Sequence, residues 1–155
     1  PLIVGGGQEN NIRSGTLATP LIVGFGKACE ISLKKIDSEN KKIKKLSNNL
    51  IDGILNKYPD SKLNGSKEFR IPGNINFSFP FLNGMSIINS MPQLALSSGS
   101  ACTSSSPSPS HVLKEIGVSK IDSNTSIRLG IGRFNTDKDI EIALESIINA
   151  IRNKI

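Results

Sequence analysis

The chain of 155 residues is poor in aromatic residues, cysteine and histidine. It has no tryptophan, one tyrosine and six phenylalanines, so we expect a core built chiefly from isoleucine and leucine. Two cysteines, Cys29 and Cys102, are too few for a disulfide framework and are typical of a reducing compartment. No apolar run approaches the ~18 residues that span a membrane, and no signal peptide is recognisable. These absences predict a soluble cytoplasmic protein without a membrane partner; a mitochondrial or other organellar location is the alternative.

Positive charge is in excess, but its placement does not indicate nucleic-acid binding. The formal net charge is +6, and much of it comes from the run between Lys34 and Lys45. That spacing is typical of the solvent-facing side of a helix. Basic residues are not interleaved with aromatic residues, and no groove-reading motif is present. We therefore expect no direct nucleic-acid partner.

The segment around Cys102 is the most informative part of the chain. Residues 99 to 104 read Gly-Ser-Ala-Cys-Thr-Ser and continue into Ser-Ser-Pro-Ser-Pro-Ser. The two prolines disfavour a helix or a paired strand, and no neighbouring side chain is large enough to bury the sulfur. The pattern predicts an exposed thiol on a loop. Two interpretations stay open from the residues alone: an incidental cysteine, or a reactive thiol whose ionisation nearby hydroxyl donors favour.

Helical periodicity covers much of the chain. Apolar residues recur at three-to-four spacing from Leu17 and predict one long helix, or two joined end to end, that stops near Tyr58-Pro59. Cys29 falls beside these apolar positions, so we expect it in the core. Thr136-Asp137-Lys138-Asp139 resembles a capping box and predicts the start of a final helix.

A short helix is predicted after the cysteine loop. Ser108-Pro109 is typical of an N-cap with proline in the first turn, and Gly117 of a helix stop. The single histidine, His111, falls in the first turn of this helix. It has no histidine, cysteine or carboxylate partner at ligand spacing, so we predict no metal site there.

Strands are predicted by alternation. Ile75, Phe77 and Phe79 alternate with polar residues, which is typical of a strand with one buried face. Because helices and strands alternate, we expect an α/β or α+β fold with a small sheet covered by helices. Further predicted elements are a helix at Met85–Met91, a brief strand at Leu94–Leu96 and a strand at Ser126–Leu129.

Two further features leave alternatives open. The glycine-rich loop Gly5–Thr16 lacks the Gly-Lys-Ser/Thr ending of a phosphate-binding P-loop, so it is either a plain loop or a place of close backbone approach. Arg128 and Arg133 lie at the end of a predicted strand. An arginine there can hold a carboxylate through two parallel hydrogen bonds, or it can be a solvated surface residue.

Four motifs in order resemble the cysteine desulfurases of the NifS/IscS type, in the long-loop group of the class V aminotransferase family. The glycine loop with Arg13-Ser-Gly-Thr16 resembles two signatures of the family's cofactor-binding region. Ser97-Ser-Gly-Ser-Ala-Cys-Thr-Ser104 resembles its catalytic loop, with Pro109-Ser-His-Val-Leu113 after it. Ser126-Ile-Arg-Leu-Gly-Ile-Gly-Arg-Phe134 resembles the signature of its C-terminal domain.

The resemblance implies roles for three residues. Cys102 would be the nucleophile that takes sulfur from L-cysteine as a persulfide and leaves L-alanine, with pyridoxal 5'-phosphate (PLP) as cofactor. Arg128 would bind the substrate carboxylate, and Thr16 would reach the PLP phosphate of the partner subunit in a homodimer. Ser98 and Gly99 would only support the loop. No metal is expected, apart from a transient iron–sulfur cluster bound through Cys102.

The resemblance also implies that this sequence is the C-terminal part of a fold-type I PLP-dependent transferase. The family's PLP-bearing lysine follows a Ser-His pair, whereas His111 here is followed by Val112. We therefore expect this portion alone to be inactive. Its implied parts are 1–20, the end of the large PLP-binding domain; 21–57, the linking helix or helices; and 58–155, the small domain with the catalytic loop at about 97–110.

The implied pathway is iron–sulfur cluster assembly or tRNA thiolation. The partners would be a second copy of the chain, L-cysteine, and an iron–sulfur scaffold protein or another sulfur acceptor. Family members dock the scaffold partly through a tail beyond the last helix, and this sequence stops at Ile155. The alternatives are a stand-alone sulfur-carrier or interaction module, and an enzyme similar to selenocysteine lyase.

Overall fold

The computed structural model describes residues 1–80, 82–98 and 110–153. Two compact units are distinguished, Pro1–Ser38 and Glu39–Ile155, and each is described by itself. Cys102 lies outside the described residues. In chain order the elements are α1 (Thr19–Lys57), β1 (Lys62–Leu63), β2 (Asn74–Ser78), α2 (Gly84–Asn89), α3 (His111–Glu115), α4 (Lys120–Asn124), β3 (Ser126–Gly130) and α5 (Asp137–Arg152).

The long helix predicted from periodicity is confirmed as the single helix α1. It runs for 39 residues and ends at Lys57, two residues before the proline that cannot continue it. The lysines between Lys34 and Lys45 are all exposed, so they form the solvated face that the sequence predicts. Among the described residues, no helix is both long enough and apolar enough to cross a membrane.

The expectation that Cys29 is a core residue was wrong. Cys29 is exposed, and so are Leu21, Val23 and Phe25 in the same first half of α1. Amphipathic spacing identifies a face that is suited to packing, but it does not supply the partner. Within the first unit, the described residues leave this apolar face uncovered.

The sheet has three antiparallel strands in the order β1-β2-β3. In β2, Ile75 and Phe77 are fully buried, as their alternation predicts, and Phe79 directly after the strand is buried too. Asn76 is the register partner of Arg128 on β3. Side chains of directly opposed residues share one face of a sheet, so the polar residues of β2 lie on the same side as Arg128.

The second unit has one apolar core. It joins the buried face of the sheet to the second half of α1 and to α5. These two helices approach closely at Gly53, where an added Cβ would meet Leu144 Cδ2 at 2.6 Å. The fully buried large side chains are Leu46, Leu50, Ile51, Ile54, Ile75, Phe77, Phe79, Ile87, Met91, Ile127, Ile147 and Ile151.

Helix caps explain where the shorter elements begin. The capping box of α5 is confirmed: Thr136 Oγ1 accepts from Asp139 N, and the Asp139 carboxylate accepts from Thr136 N at 2.8 Å. The N-cap of α3 is Ser110 and not Ser108, because the helix begins at His111 and the Ser110 hydroxyl accepts from Leu113 N. Gly117, with φ of +82°, follows the end of α3 as predicted.

The brief strand predicted at Leu94–Leu96 does not form. Only the next residue, Ser97, pairs with the sheet, in an isolated antiparallel bridge to Arg128. Leu94 and Leu96 pack against the apolar core from outside the strand ladder. Their apolar character therefore reflects burial against the core and not a paired strand.

Candidate anion-binding site beside the cysteine loop

Arg128 lies on β3, the last strand in the order β1-β2-β3, and has a neighbouring backbone on both sides. On one side it is in register with Asn76 of β2. On the other, Arg128 N donates to Ser97 O at 2.6 Å, and Ser97 N donates to Arg128 O at 3.2 Å. The backbone of Arg128 is thus fixed, while its side chain is exposed and makes no hydrogen bond or ion pair with any described residue.

A cleft of about 290 Å³ opens over this polar face of the sheet. One wall of it is formed by Ser110, by Val112 and Leu113 of α3, and by Ile116, the C-cap of that helix. Two guanidinium groups, three asparagines and a serine provide the polar part of the lining, and none of the described lining residues is acidic. The polar lining residues are Asn64, Arg70, Asn74, Asn76, Ser110 and Arg128.

Arg70 is a fixed cation in this lining. Its Nη2 donates to Asn64 O at 2.9 Å, its Nε to Ser66 O at 2.6 Å and its Nη1 to Asn74 O at 3.2 Å. All three acceptors are neutral carbonyls, so no carboxylate offsets the charge. Partial burial lowers the pKa of Arg70 from its ordinary value, yet arginine stays protonated in proteins. The cleft therefore carries two positive charges, a setting that suits an anion.

Asn64 ties the three strands together beneath the cleft. Its Nδ2 lies 2.6 Å from Asn76 Oδ1, 2.8 Å from Ser78 Oγ and 3.1 Å from Ser126 Oγ. Ser78 and Ser126 are fully buried, and their hydroxyls lie 2.9 Å apart. Ser126 Oγ in turn donates to Asp122 O at 2.7 Å. Buried polar groups are stable only when they are hydrogen-bonded, and this network satisfies them.

The described residues on either side of the segment that carries Cys102 are both related to Arg128. Ser97 pairs with Arg128 before residues 99–109, and Ser110 lines the Arg128 cleft directly after them. The predicted nucleophile Cys102 lies outside the described residues, so its site role stays a prediction. His111, beside Ser110, is exposed. No group of three or more possible metal ligands occurs among residues 1–80, 82–98 and 110–153.

Thr16 lies in the first unit, at the end of a loop that the sequence itself braces. Arg13 Nη1 donates to the carbonyls of Ser14, Gly15 and Thr16 at 3.3, 3.1 and 3.4 Å. The backbone N–H of Gly15 donates to Gln8 Oε1 at 3.0 Å. Arg13 is therefore occupied with its own loop, whereas the exposed Thr16 hydroxyl makes no hydrogen bond with a described residue.

Each unit, taken by itself, presents a group that suits a PLP-dependent enzyme. In the first unit, the Thr16 hydroxyl, which makes no hydrogen bond with a described residue, can donate to a phosphate. In the second unit, the Arg128 guanidinium, which makes no ion pair with a described residue, can bind a carboxylate. Every described lysine is exposed and none of them lines the Arg128 cleft, so the described residues offer no lysine there that could carry PLP.

Sequence reasoning identified Arg128 but missed its surroundings. Asn76 was visible only as a polar position in an alternating strand, and Asn64 and Arg70 gave no signal. Asn64 lies 12 and 62 residues from two of its partners, so no local pattern could have found it.

Comparison with known proteins adds an independent line of evidence. The family model for class-V aminotransferases matches residues 5–143. The cysteine desulfurase IscS of Rickettsia typhi is 49% identical over 151 residues, which are 97% of this chain and 37% of that protein. Cysteine desulfurase of Homo sapiens is 45% identical over 148 residues, 96% of this chain and 32% of the relative.

Solved structures agree. A NifS-like protein superposes with a TM-score of 0.84 at 28% identity, covering 99% of this chain and 39% of that one. A NifS-like protein from Rickettsia africae gives 0.82 at 31% identity, with coverages of 98% and 40%. The chain thus spans between a third and two fifths of the length of these relatives. The predicted resemblance and fold class are confirmed: this chain belongs to the class-V aminotransferase family.

Proposed function

We propose that this chain is the part of a PLP-dependent cysteine desulfurase that carries the sulfur-accepting thiol and the substrate carboxylate site. The observation that supports this most directly is the position of Arg128. Its guanidinium, which no described residue pairs, lines a positively charged cleft, and its backbone pairs with Ser97, five residues before Cys102. A thiol and a carboxylate-binding group are thereby kept in one neighbourhood.

Covalent geometry limits how far Cys102 can be from this site. It follows Ser97 by five residues, so even a fully extended chain keeps the two Cα atoms within about 18 Å. Ser97 is itself bonded to Arg128. Cys102 therefore cannot lie farther than about 18 Å, Cα to Cα, from the residue that pairs with Arg128.

The proposed reaction moves one sulfur atom. Arg128 binds the carboxylate of L-cysteine through paired charge-assisted hydrogen bonds and so orients its thiol. The Cys102 thiolate attacks the substrate sulfur, an S–S bond forms and the substrate C–S bond breaks. PLP, when bound, supplies the electron sink for the pair left on the substrate carbon. A proton returns to that carbon, which gives L-alanine, and Cys102 retains the sulfur as a persulfide.

The proposed assembly is a homodimer, in which the Thr16 hydroxyl donates to the PLP phosphate of the partner subunit. Cys102 then passes its sulfur to an iron–sulfur scaffold protein or to another acceptor of thiolation, and binds an iron–sulfur cluster transiently. The proposed compartment is the cytoplasm or an organelle; one relative, 46% identical and from Arabidopsis thaliana, is named as mitochondrial.

The experiment is L-alanine formation from L-cysteine by the full-length protein loaded with PLP, with a reducing thiol as acceptor. Cys102→Ser should abolish turnover, because a hydroxyl cannot accept sulfur. Cys29→Ser is the matched control, since Cys29 is exposed in the first unit. It should keep the activity of the unmodified protein. Turnover in Cys102→Ser equal to that of the control would contradict the proposal.

A further inference from the structure

We propose that Asn76 is a second carboxylate-binding residue, and that its side-chain amide donates to the same carboxylate as Arg128. This inference rests on the proposed function, since it requires Arg128 to bind a substrate carboxylate. Asn76 and Arg128 are register partners on adjacent strands, and both line the cleft of about 290 Å³. Side chains of such a pair have Cβ atoms ~5 Å apart on one face of the sheet, close enough for both to contact one carboxylate.

The buried network fixes which end of the Asn76 amide is available. It starts at the backbone carbonyl of Asp122, which can only accept a hydrogen bond. Ser126 Oγ donates its proton to this carbonyl at 2.7 Å. With its proton used there, Ser126 Oγ accepts from the nearest atom of Asn64, so that atom is the amide nitrogen. The same nitrogen donates to Asn76 Oδ1 at 2.6 Å.

The hydrogen bond from Asn64 leaves the nitrogen of the Asn76 side-chain amide available as a donor. Because Oδ1 of Asn76 is taken by Asn64, the group left over is the Nδ2 amide, which has two N–H donors. Asn76 Nδ2 makes no hydrogen bond within the described part of the chain. An amide that is anchored through its oxygen and free at its nitrogen can recognise an acceptor, and carboxylate oxygens accept only.

Charge in the cleft agrees with this assignment. Arg70 is bonded to three backbone carbonyls, so it contributes positive charge without itself reaching for a ligand. The Arg128 guanidinium has no hydrogen-bond or ion-pair partner among residues 1–80, 82–98 and 110–153, and no described residue in the lining is acidic. Arg128 thus supplies the charge that attracts the substrate carboxylate. Asn76 adds a neutral donor that fixes the orientation of that carboxylate.

The test compares Asn76→Ala and Asn76→Asp with unmodified full-length protein. Asn76→Ala removes the donor, whereas the isosteric Asn76→Asp replaces it by a carboxylate that repels the substrate and pairs with Arg128. We expect the KM for L-cysteine to rise about 5- to 20-fold in the first and further in the second. Because C–S cleavage itself is untouched, kcat should change less than threefold. Asn149→Ala, on the exposed side of α5, is the matched control.

A second measurement tests ligand binding directly, without depending on turnover of L-cysteine. Calorimetry gives the dissociation constants of 3-mercaptopropionate and its uncharged amide, 3-mercaptopropionamide, which both lack the amino group. Asn76→Ala should weaken binding of the acid and leave binding of the amide unchanged. Equal weakening of both would assign Asn76 a structural role only and overturn the inference, as would an unchanged constant for the acid in both Asn76 variants. If the unmodified protein fails to turn over L-cysteine, the proposed function is contradicted. The role of Asn76 is then still decided by whether Asn76→Ala weakens binding of the acid more than binding of the amide.

Discussion

Ser97 and Arg128 are joined by two backbone hydrogen bonds, of 2.6 and 3.2 Å. Through this bridge the residue before the cysteine segment is attached to β3, the strand that bears Arg128. Its consequence is that the backbone of Arg128 is rigid while its side chain is free for a ligand. Rigid placement of a binding group is what orients a small substrate.

Replacement of Arg128 tests the carboxylate-binding role. A charge-assisted hydrogen bond contributes about 1.5–3 kcal/mol, so Arg128→Ala should raise the KM for L-cysteine about 10- to 100-fold. Arg128→Lys should recover only part of this loss, because an ammonium group cannot form the paired hydrogen bonds. Steady-state kinetics of the full-length protein provide the measurement. Arg152→Ala, at the exposed end of α5, is the control; a KM for Arg128→Ala that equals the control's would refute the role.

Gly73 should tolerate no side chain. Its φ is +83°, and an added Cβ would overlap the Ile131 carbonyl oxygen and lie 2.8 Å from Ile43 Cγ2. Gly73→Ala should therefore destabilise the fold by at least about 2 kcal/mol, since both strain and overlap add to the cost. Gly132→Ala is the control, because its Cβ would meet no atom within 4 Å. Urea unfolding of the full-length protein measures both; equal midpoints would contradict the close approach at Gly73.

Asn64 should matter for stability well beyond its own contacts. Asn64→Ala removes the amide whose two N–H donors are shared among the Asn76 carbonyl and the hydroxyls of Ser78 and Ser126, and whose oxygen accepts from Ser78 Oγ. Leaving such groups unsatisfied costs about 1–3 kcal/mol. A lowered urea midpoint is expected for Asn64→Ala, whereas the exposed Asn149→Ala should leave the midpoint in place. Amide hydrogen exchange should also rise along β2 and β3 in the Asn64 variant only.

The capping box of α5 predicts a pH dependence. The backbone N–H of Thr136, followed by its hydroxyl, holds the pKa of Asp139 below its ordinary value. A carboxyl whose pKa is lowered by folding stabilises the fold above its unfolded pKa, near ~3.9, and loses that contribution as the pH falls through the folded value. Asp139→Asn should therefore be less stable than the unmodified protein at pH 7, with a difference that shrinks below pH ~4. A difference that grows on acidification would contradict this assignment.

Much of the fold follows from local patterns. The alternation of Ile75 and Phe77 predicted β2, and the Thr136 capping box predicted the start of α5, because both signals lie within a few residues. The exposure of Cys29 could not be predicted, since helical spacing identifies an apolar face without its partner. The N-cap of α3 was predicted at Ser108 because Ser-Pro is a common helix start, whereas the helix begins two residues later, after Ser110.

Of the charged and polar residues that line the cleft, only Arg128 was predictable from the sequence. Arg128 stands in a recognisable motif, whereas Asn64 and Arg70 act through contacts that the sequence order does not reveal. Asn64 reaches Ser126 across 62 residues, and Arg70 is held by carbonyls that exist only once the loop before β2 has folded. Polar residues that form long-range hydrogen bonds are not regularly spaced along the sequence. Their partners become visible only in the folded chain.

We propose that Cys102 receives the sulfur atom of L-cysteine. Its most direct test is tandem mass spectrometry of the full-length, PLP-loaded protein after brief exposure to L-cysteine labelled with heavy sulfur, without a reducing acceptor. We expect the Cys102 peptide to gain one labelled sulfur atom and the Cys29 peptide to gain none. If alanine is formed while the label appears on Cys29 or on no cysteine of this chain, Cys102 is not the acceptor and the account is wrong.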